Sequence, residues 1–130
     1  MIADTSYLID VMRGDPEAIE KGRMLESYGI PICITAIAVF ELYVGTGLSS
    51  KSTEEKAKVH SVISSMPAFA LDFDSSREGG LIFSARKKEG MTIDAEDAMV
   101  AGIARLNHET VLTRNTRHFS GIEGVRTDSY

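Results

Sequence analysis

Cysteine is almost missing: Cys33 is the only one in 130 residues. A lone thiol excludes an internal disulfide and a zinc cage made of cysteines. It stands in the apolar run 30–34, where a small buried hydrophobe is its expected role, and it fits a reducing compartment. No stretch approaches the ~20 apolar residues of a membrane span. Met1-Ile2-Ala3-Asp4 has no basic start and Asp4 interrupts its apolar run at once, so no signal peptide is expected and the cytoplasm is the default location. Positive charge is also short. Lys and Arg number 14 against 19 Asp and Glu, a formal net charge of −5. That sign is opposite to a protein gripping nucleic acid with a basic face. It still suits a protein whose acids converge on divalent cations, because a loaded site presents positive charge. No GxxxxGK[ST] loop is present, which argues against P-loop nucleotide hydrolysis. His60, His108 and His118 are scattered, with no sign of a Ser–His–Asp set.

What is present is alternation. No repeat, linker or low-complexity tract divides the chain, and its 43% apolar and 25% charged residues suit one globular domain. Helical spacing covers 6–12, closed by Arg13-Gly14. Asp15-Pro16 opens a helix reaching about residue 29. The β-branched run 30–34 predicts a buried strand. Thr35 caps an apolar helix over 36–44 that Gly45 and Gly47 end. Further helices are expected over 54–66, stopped by Pro67, over 74–89, capped by Asp74, and over 94–107. Strands are expected at 1–3, 69–73, 110–113 and 125–127. Strands alternating with helices imply an α/β fold with a largely parallel sheet covered on both faces. Function in such sheets collects at the carboxyl ends of the strands.

Carboxylates stand at those ends. Asp4 follows the first strand directly, where it also suits a helix N-cap. Glu41 sits in a helix apolar almost all round, with Ile37, Ala38, Val44 and Gly45 as its neighbours one turn away. A buried carboxylate needs a partner or a cation, and no Lys or Arg lies within a turn. Asp97, three residues after the N-cap Asp94, suits a capping box. It also shares a small, core-facing side with Ala101 and Ala104, well placed to line a pocket. Asn115 follows a strand and offers a neutral oxygen or a turn residue. Clustered oxygens of this kind are what Mg²⁺ or Mn²⁺ requires. Asp10, Asp72 and Asp74 read as surface or capping acids, and Arg86-Lys87-Lys88 as a solvated helix end.

Four segments together resemble the PIN-domain ribonucleases, and within them the VapC toxins of VapBC toxin–antitoxin pairs. They are Met1-Ile2-Ala3-Asp4-Thr5-Ser6, Thr35-Ala36-Ile37-Ala38-Val39-Phe40-Glu41-Leu42, Asp97-Ala98-Met99-Val100-Ala101-Gly102 and Thr113-Arg114-Asn115-Thr116-Arg117-His118-Phe119. Their order and spacing agree over nearly the whole chain. The resemblance implies a PIN-like three-layer α/β/α sandwich, with Asp4, Glu41 and Asp97 as metal-binding acids. Asn115 falls where many members carry a fourth acid, a position at which both Asp and Asn are used. Ser6 and Thr113 match supporting hydroxyls. Arg114, Arg117 and His118 lie near the implied site and are candidates to touch RNA. The implied reaction is RNA hydrolysis by a water activated on Mg²⁺ or Mn²⁺. The implied partners are the RNA substrate, a VapB-like antitoxin and a second copy of the chain in a homodimer.

Three other readings compete. A metal-binding but catalytically inactive PIN-like module would act through protein contacts. A receiver domain usually has paired acids after its first strand and a lysine after its last, whereas here Asp4 is alone and no lysine follows Lys88. A purely structural domain leaves Glu41 unexplained.

Overall fold

Residues 2 and 3 point to opposite sides of a sheet, as successive residues of a strand must. Ile2 packs in one apolar cluster with Ile82, Ile103, Val111 and Phe119. Ala3 packs in a second with Leu8, Ile34, Leu42 and Leu112. Neighbours Val111 and Leu112 divide between the clusters in the same way. Both faces of the sheet are therefore covered, giving three layers.

The computed structural model describes residues 1–130. Its strands are β1 (Ile2–Ala3), β2 (Ile34–Thr35), β3 (Ala68–Phe69), β4 (Thr110–Leu112) and β5 (Arg126–Asp128). Every pairing is parallel: β1 with β4, β4 with β5, β2 with β3. A parallel bridge from Ile2 to Cys33 links the two groups, so the strands run in the order β3-β2-β1-β4-β5. Helices α1 (Thr5–Arg13), α2 (Pro16–Ser27), α3 (Ala36–Leu48) and α4 (Ser52–Ile63) cover one face, mainly through the second cluster. Helices α5 (Phe73–Lys88), α6 (Ala95–Leu106) and α7 (Thr116–Phe119) cover the other. No helix is long and apolar enough to cross a membrane. The chain leaves β1 toward one edge and returns to β4 for the other. The strand order thus reverses between β1 and β4, and in sheets of this kind ligands bind outside the carboxyl ends of the strands at such a point.

Several expected boundaries shift, each for a local reason. The strand expected at 30–34 starts late, because Ile30 still donates to Leu25 at the end of α2 and Pro31 has no N–H to give a ladder. The helix expected to stop at 44 continues through Gly45 and Gly47 to Leu48. Each interior glycine costs about 1 kcal/mol of helix propensity, but the burial of Leu42 and Thr46 holds that stretch helical. The helix expected over 54–66 spans Ser52–Ile63 instead. The strand expected at 69–73 covers only Ala68–Phe69, because a capping box begins the next helix early. Asp72 rather than Asp74 is that cap: its carboxylate accepts from the Ser75 N–H at 2.9 Å while Ser75 Oγ accepts from the Asp72 N–H at 2.9 Å. Asp74 faces Arg77 on the surface. The helix α7 was not foreseen at all.

Candidate active site

Asp4 occupies the N-cap position of α1, yet its side chain makes no cap bond. One oxygen, Oδ2, accepts instead from Ser6 Oγ at 2.8 Å and from Thr113 Oγ1 at 2.7 Å. Each hydroxyl has a single proton, so both are spent on the carboxylate and the 3.1 Å approach of Ser6 Oγ to Thr113 Oγ1 is a by-product. Those hydroxyls in turn accept the N–H groups of Arg114 and Asn115, at 3.2 and 2.9 Å. The start of α1 and the end of β4 are thereby tied to one oxygen of Asp4. Its other oxygen takes no hydrogen bond from the protein.

Glu41 projects from α3, and Thr5 Oγ1 donates to its Oε1 at 3.1 Å. Burial is the first cause that raises its carboxyl above the ordinary range. The Thr5 hydrogen bond opposes the rise, while the charges of Asp4, Asp97 and Glu96 add to it. The helix is apolar nearly all round, yet part of that surface is open to solvent: Phe40, Val44 and Leu48 are exposed. Glu41 lies instead at the mouth of a groove of about 270 Å³ between α1, α3 and α4, lined also by Ile9, Met12, Arg13, Leu42 and Lys58.

Asp97 is in the first turn of α6, and the cap side chain of Asp94 leaves that end unbonded. Rather than completing a capping box, Asp97 Oδ2 lies 2.8 Å from His118 Nδ1 of α7. Its carboxyl is also raised, first by burial; the neighbouring His118 opposes this, and the charges of Asp4 and Asp94 reinforce it. A second crevice of about 270 Å³, lined by Thr92, Ile93, Asp94, Asp97, Arg117 and His118, opens here. Glu41 and Asp97 thus line separate openings, and the charge of Asp4 acts on both of their carboxyls. The N-cap Asn115 is exposed at the start of α7, and its side chain forms no cap bond.

The sequence reading missed three supporting groups. Thr5, which bonds Glu41, was overlooked although a hydroxyl directly after a strand-end acid is a usable signal. Asp10 was taken for a surface or capping acid but is buried, bound by Arg114 at 2.6 Å and by the Tyr130 hydroxyl at 2.7 Å. Arg86 was read as solvated; it is 8% exposed, with its guanidinium donating to the Ser120 carbonyl that follows α7.

The raised carboxyl of Glu41 has a measurable consequence. A carboxyl with a higher pKa folded than unfolded binds more protons in the native state, so stability is lost as pH rises above its ordinary value of 4.5. In EDTA at neutral pH, Glu41→Gln should raise Tm, since the amide keeps an acceptor for Thr5 without the charge. Melts repeated near pH 4 should show the gain shrinking; an equal or larger gain there would contradict burial and like charge as its source.

A PIN domain family model matches residues 1–124. The tRNA(fMet)-specific endonuclease VapC of Shigella flexneri is 25% identical across 98% of this chain and 95% of its own length. Ribonuclease VapC3 of Methanocaldococcus jannaschii is 32% identical across 78% of this chain and 95% of its own. Among solved structures, the DNA-bound VapBC of Salmonella typhimurium is similar with a TM-score of 0.88 at 26% identity, covering 98% of this chain and 96% of the other. VapBC2 of Rickettsia felis shares the fold at a TM-score of 0.89 and 19% identity, over 99% and 97% of the two chains. The chain belongs to the PIN-domain family, and within it to the VapC type.

Proposed function

We propose that the chain, as a single PIN domain, is a metal-dependent endoribonuclease and the toxin of a VapBC-type toxin–antitoxin pair, acting in the cytoplasm. One observation carries the reading: the charge of Asp4, at the carboxyl end of β1, raises the carboxyls of both Glu41 on α3 and Asp97 on α6, and no Lys or Arg is bonded to any of the three. Hard oxygen donors of this kind fit Mg²⁺ or Mn²⁺. As the side chains lie, no three His, Cys, Asp or Glu groups are close enough together to hold an ion, so binding one requires the acids to draw in.

Asp4, Glu41 and Asp97 would hold the ion. When bound, it lowers the pKa of a water and stabilises charge on the phosphate oxygens. The chain's own residues do the rest. Ser6 and Thr113 aim Asp4, Thr5 aims Glu41, and His118 fixes the rotamer of Asp97. Asn115, whose N–H donates to Thr113, would add its amide oxygen to this set. Arg114 and Arg117 offer the positive charge that an RNA strand needs close to an acidic site, and His118 is a further candidate to touch the strand. A VapB-like antitoxin and a second copy of the chain are the protein partners of this reading, supported by the VapBC relatives.

The test is cleavage of a labelled mixed RNA pool with Mg²⁺ or Mn²⁺. Cutting should vanish in EDTA and return when the metal is restored in excess. A folded chain that binds the metal yet cuts neither this pool nor total cellular RNA would instead be a metal-binding, inactive PIN module.

A further inference from the structure

The acidic site leaves Asp10 and Tyr130 unused; Tyr130 bonds Asp10, and Asp10 in turn holds the Arg114 guanidinium. Arg114 Nη1 lies 2.7 and 2.6 Å from the two oxygens of Asp10. Asp10 Oδ2 also accepts from the Tyr130 hydroxyl at 2.7 Å. The Tyr130 ring stands edge-on to Tyr7, with centroids 5.3 Å apart, which fixes it against α1. The Asp10 side chain is 7% exposed, whereas that of Arg114 is 54% exposed. A guanidinium has five N–H groups in a rigid fork. Here the Nη1 end is anchored, while the Nε and Nη2 edge has no protein partner and faces outward. That edge is the one that grips a phosphate with two parallel bonds.

Its place relative to the acids is also set. The Arg114 N–H donates to Ser6 Oγ, the hydroxyl that donates to Asp4. Asp10 is six residues beyond Asp4, or about 9 Å along α1 at its helical rise. A phosphate held by Arg114 is therefore a neighbour of the one at the acids, on the same strand. An unanchored surface arginine loses rotamer freedom when it binds; the buried carboxylate and phenol remove part of that loss in advance.

We propose that Arg114 clamps a phosphate of the RNA strand next to the cleaved position, and that Asp10, backed by Tyr130, is the positioning residue that aims it. This rests on the ribonuclease reading above. It makes a prediction that simple charge does not. Removing an acid normally tightens RNA binding, but removing Asp10 should weaken it, because Arg114 is released.

The experiment measures binding of a labelled single-stranded RNA over a salt series, in an Asp97→Asn background that does not cut. Arg114→Gln should weaken binding roughly tenfold, about one charge-assisted contact, and reduce the slope of log K against log salt by about 0.7. Asp10→Asn should also weaken binding, and Tyr130→Phe should do so to a smaller extent. In the cutting-competent chain, Arg114→Gln should raise KM and leave kcat within about twofold, the pattern of a contact made equally in ground and transition states. Melting curves identify any variant that loses its fold, and the half-exposed Arg114 serves as the variant least exposed to that risk. Tighter RNA binding by Asp10→Asn, or an unchanged salt slope in Arg114→Gln, overturns the clamp while the nuclease stands. Loss of antitoxin binding alone in Arg114→Gln overturns it too. A parent chain that neither binds nor cuts RNA removes the ribonuclease reading and the clamp with it.

Discussion

Asp4→Asn is expected to leave a folded protein that no longer cuts RNA. The substitution keeps an oxygen where Ser6 and Thr113 deliver their protons, so the link between α1 and β4 survives and Tm stays within a few degrees. What disappears is the charge, and with it an anionic donor for the cation. Cleavage should fall by more than about 100-fold, the upper loss seen when only an outer partner of a metal ligand is removed. Thr113→Val tests that outer layer directly. Thr113 is fully buried, and valine replaces its hydroxyl at nearly constant volume, so the expected loss is about 10- to 100-fold. Gel-based cleavage with melting curves on the same samples checks both. An Asp4→Asn protein that cuts at more than a tenth of the parent rate, metal-loaded, would remove Asp4 from the site.

Gly102→Ala should damage the protein more than any change at its acids. A Cβ at residue 102 would lie 2.5 Å from the Gly79 nitrogen and 2.6 Å from the Ser75 carbonyl oxygen. Both obstacles are backbone, so no side chain can swing away. The two helices must separate, and α6 carries Asp97 in its first turn. Overpacking of this kind costs about 3 kcal/mol. For a chain of this size that is a fall in Tm on the order of 10 °C. Metal-dependent cleavage should fall with it even below the melt, because Asp97 moves away from His118 and Asp4. Gly80→Ala, where a Cβ meets nothing within 4 Å, is the control and should match or exceed the parent in Tm. A Gly102→Ala chain melting within two degrees of the parent would mean that the helices are not locked at this crossing.

The acids were legible because they break a pattern. Glu41 interrupts an apolar helix, Asp4 ends an apolar start, and Asp97 begins a run of small residues. Each discord is local, and local sequence displays it. The alternation of strand and helix was equally legible, and the parallel three-layer sandwich follows from it. The partners of Asp10 were not legible, because Arg114 and Tyr130 lie 104 and 120 residues away, and a helix acid with no nearby base looks the same whether wet or buried. Arg86 misled for a related reason. It shares its turn with two exposed lysines, yet the loop after α7 folds over it and supplies the Ser120 carbonyl. Strand limits were misplaced because β1, β2 and β3 are two residues each, shorter than any periodicity can define. Glycines 45 and 47 ended a helix on paper, but the buried contacts of Leu42 and Thr46 outweigh propensity there.

The bond from Thr113 to Asp4 spans 109 residues, and the pairing of β1 with β4 spans the same distance along the chain. At synthesis rates of roughly 5–20 residues per second, Asp4 leaves the ribosome some 5–20 s before the residue that fixes it. The half-sheet of β1, β2 and β3 can gather earlier, but the crevice needs α6 and β4, which come late. Long-range parallel pairing is slow to form in any case. A nascent chain therefore cannot become competent before β4 has emerged. Truncations ending before residue 113 should be inert however well their N-terminal helices fold.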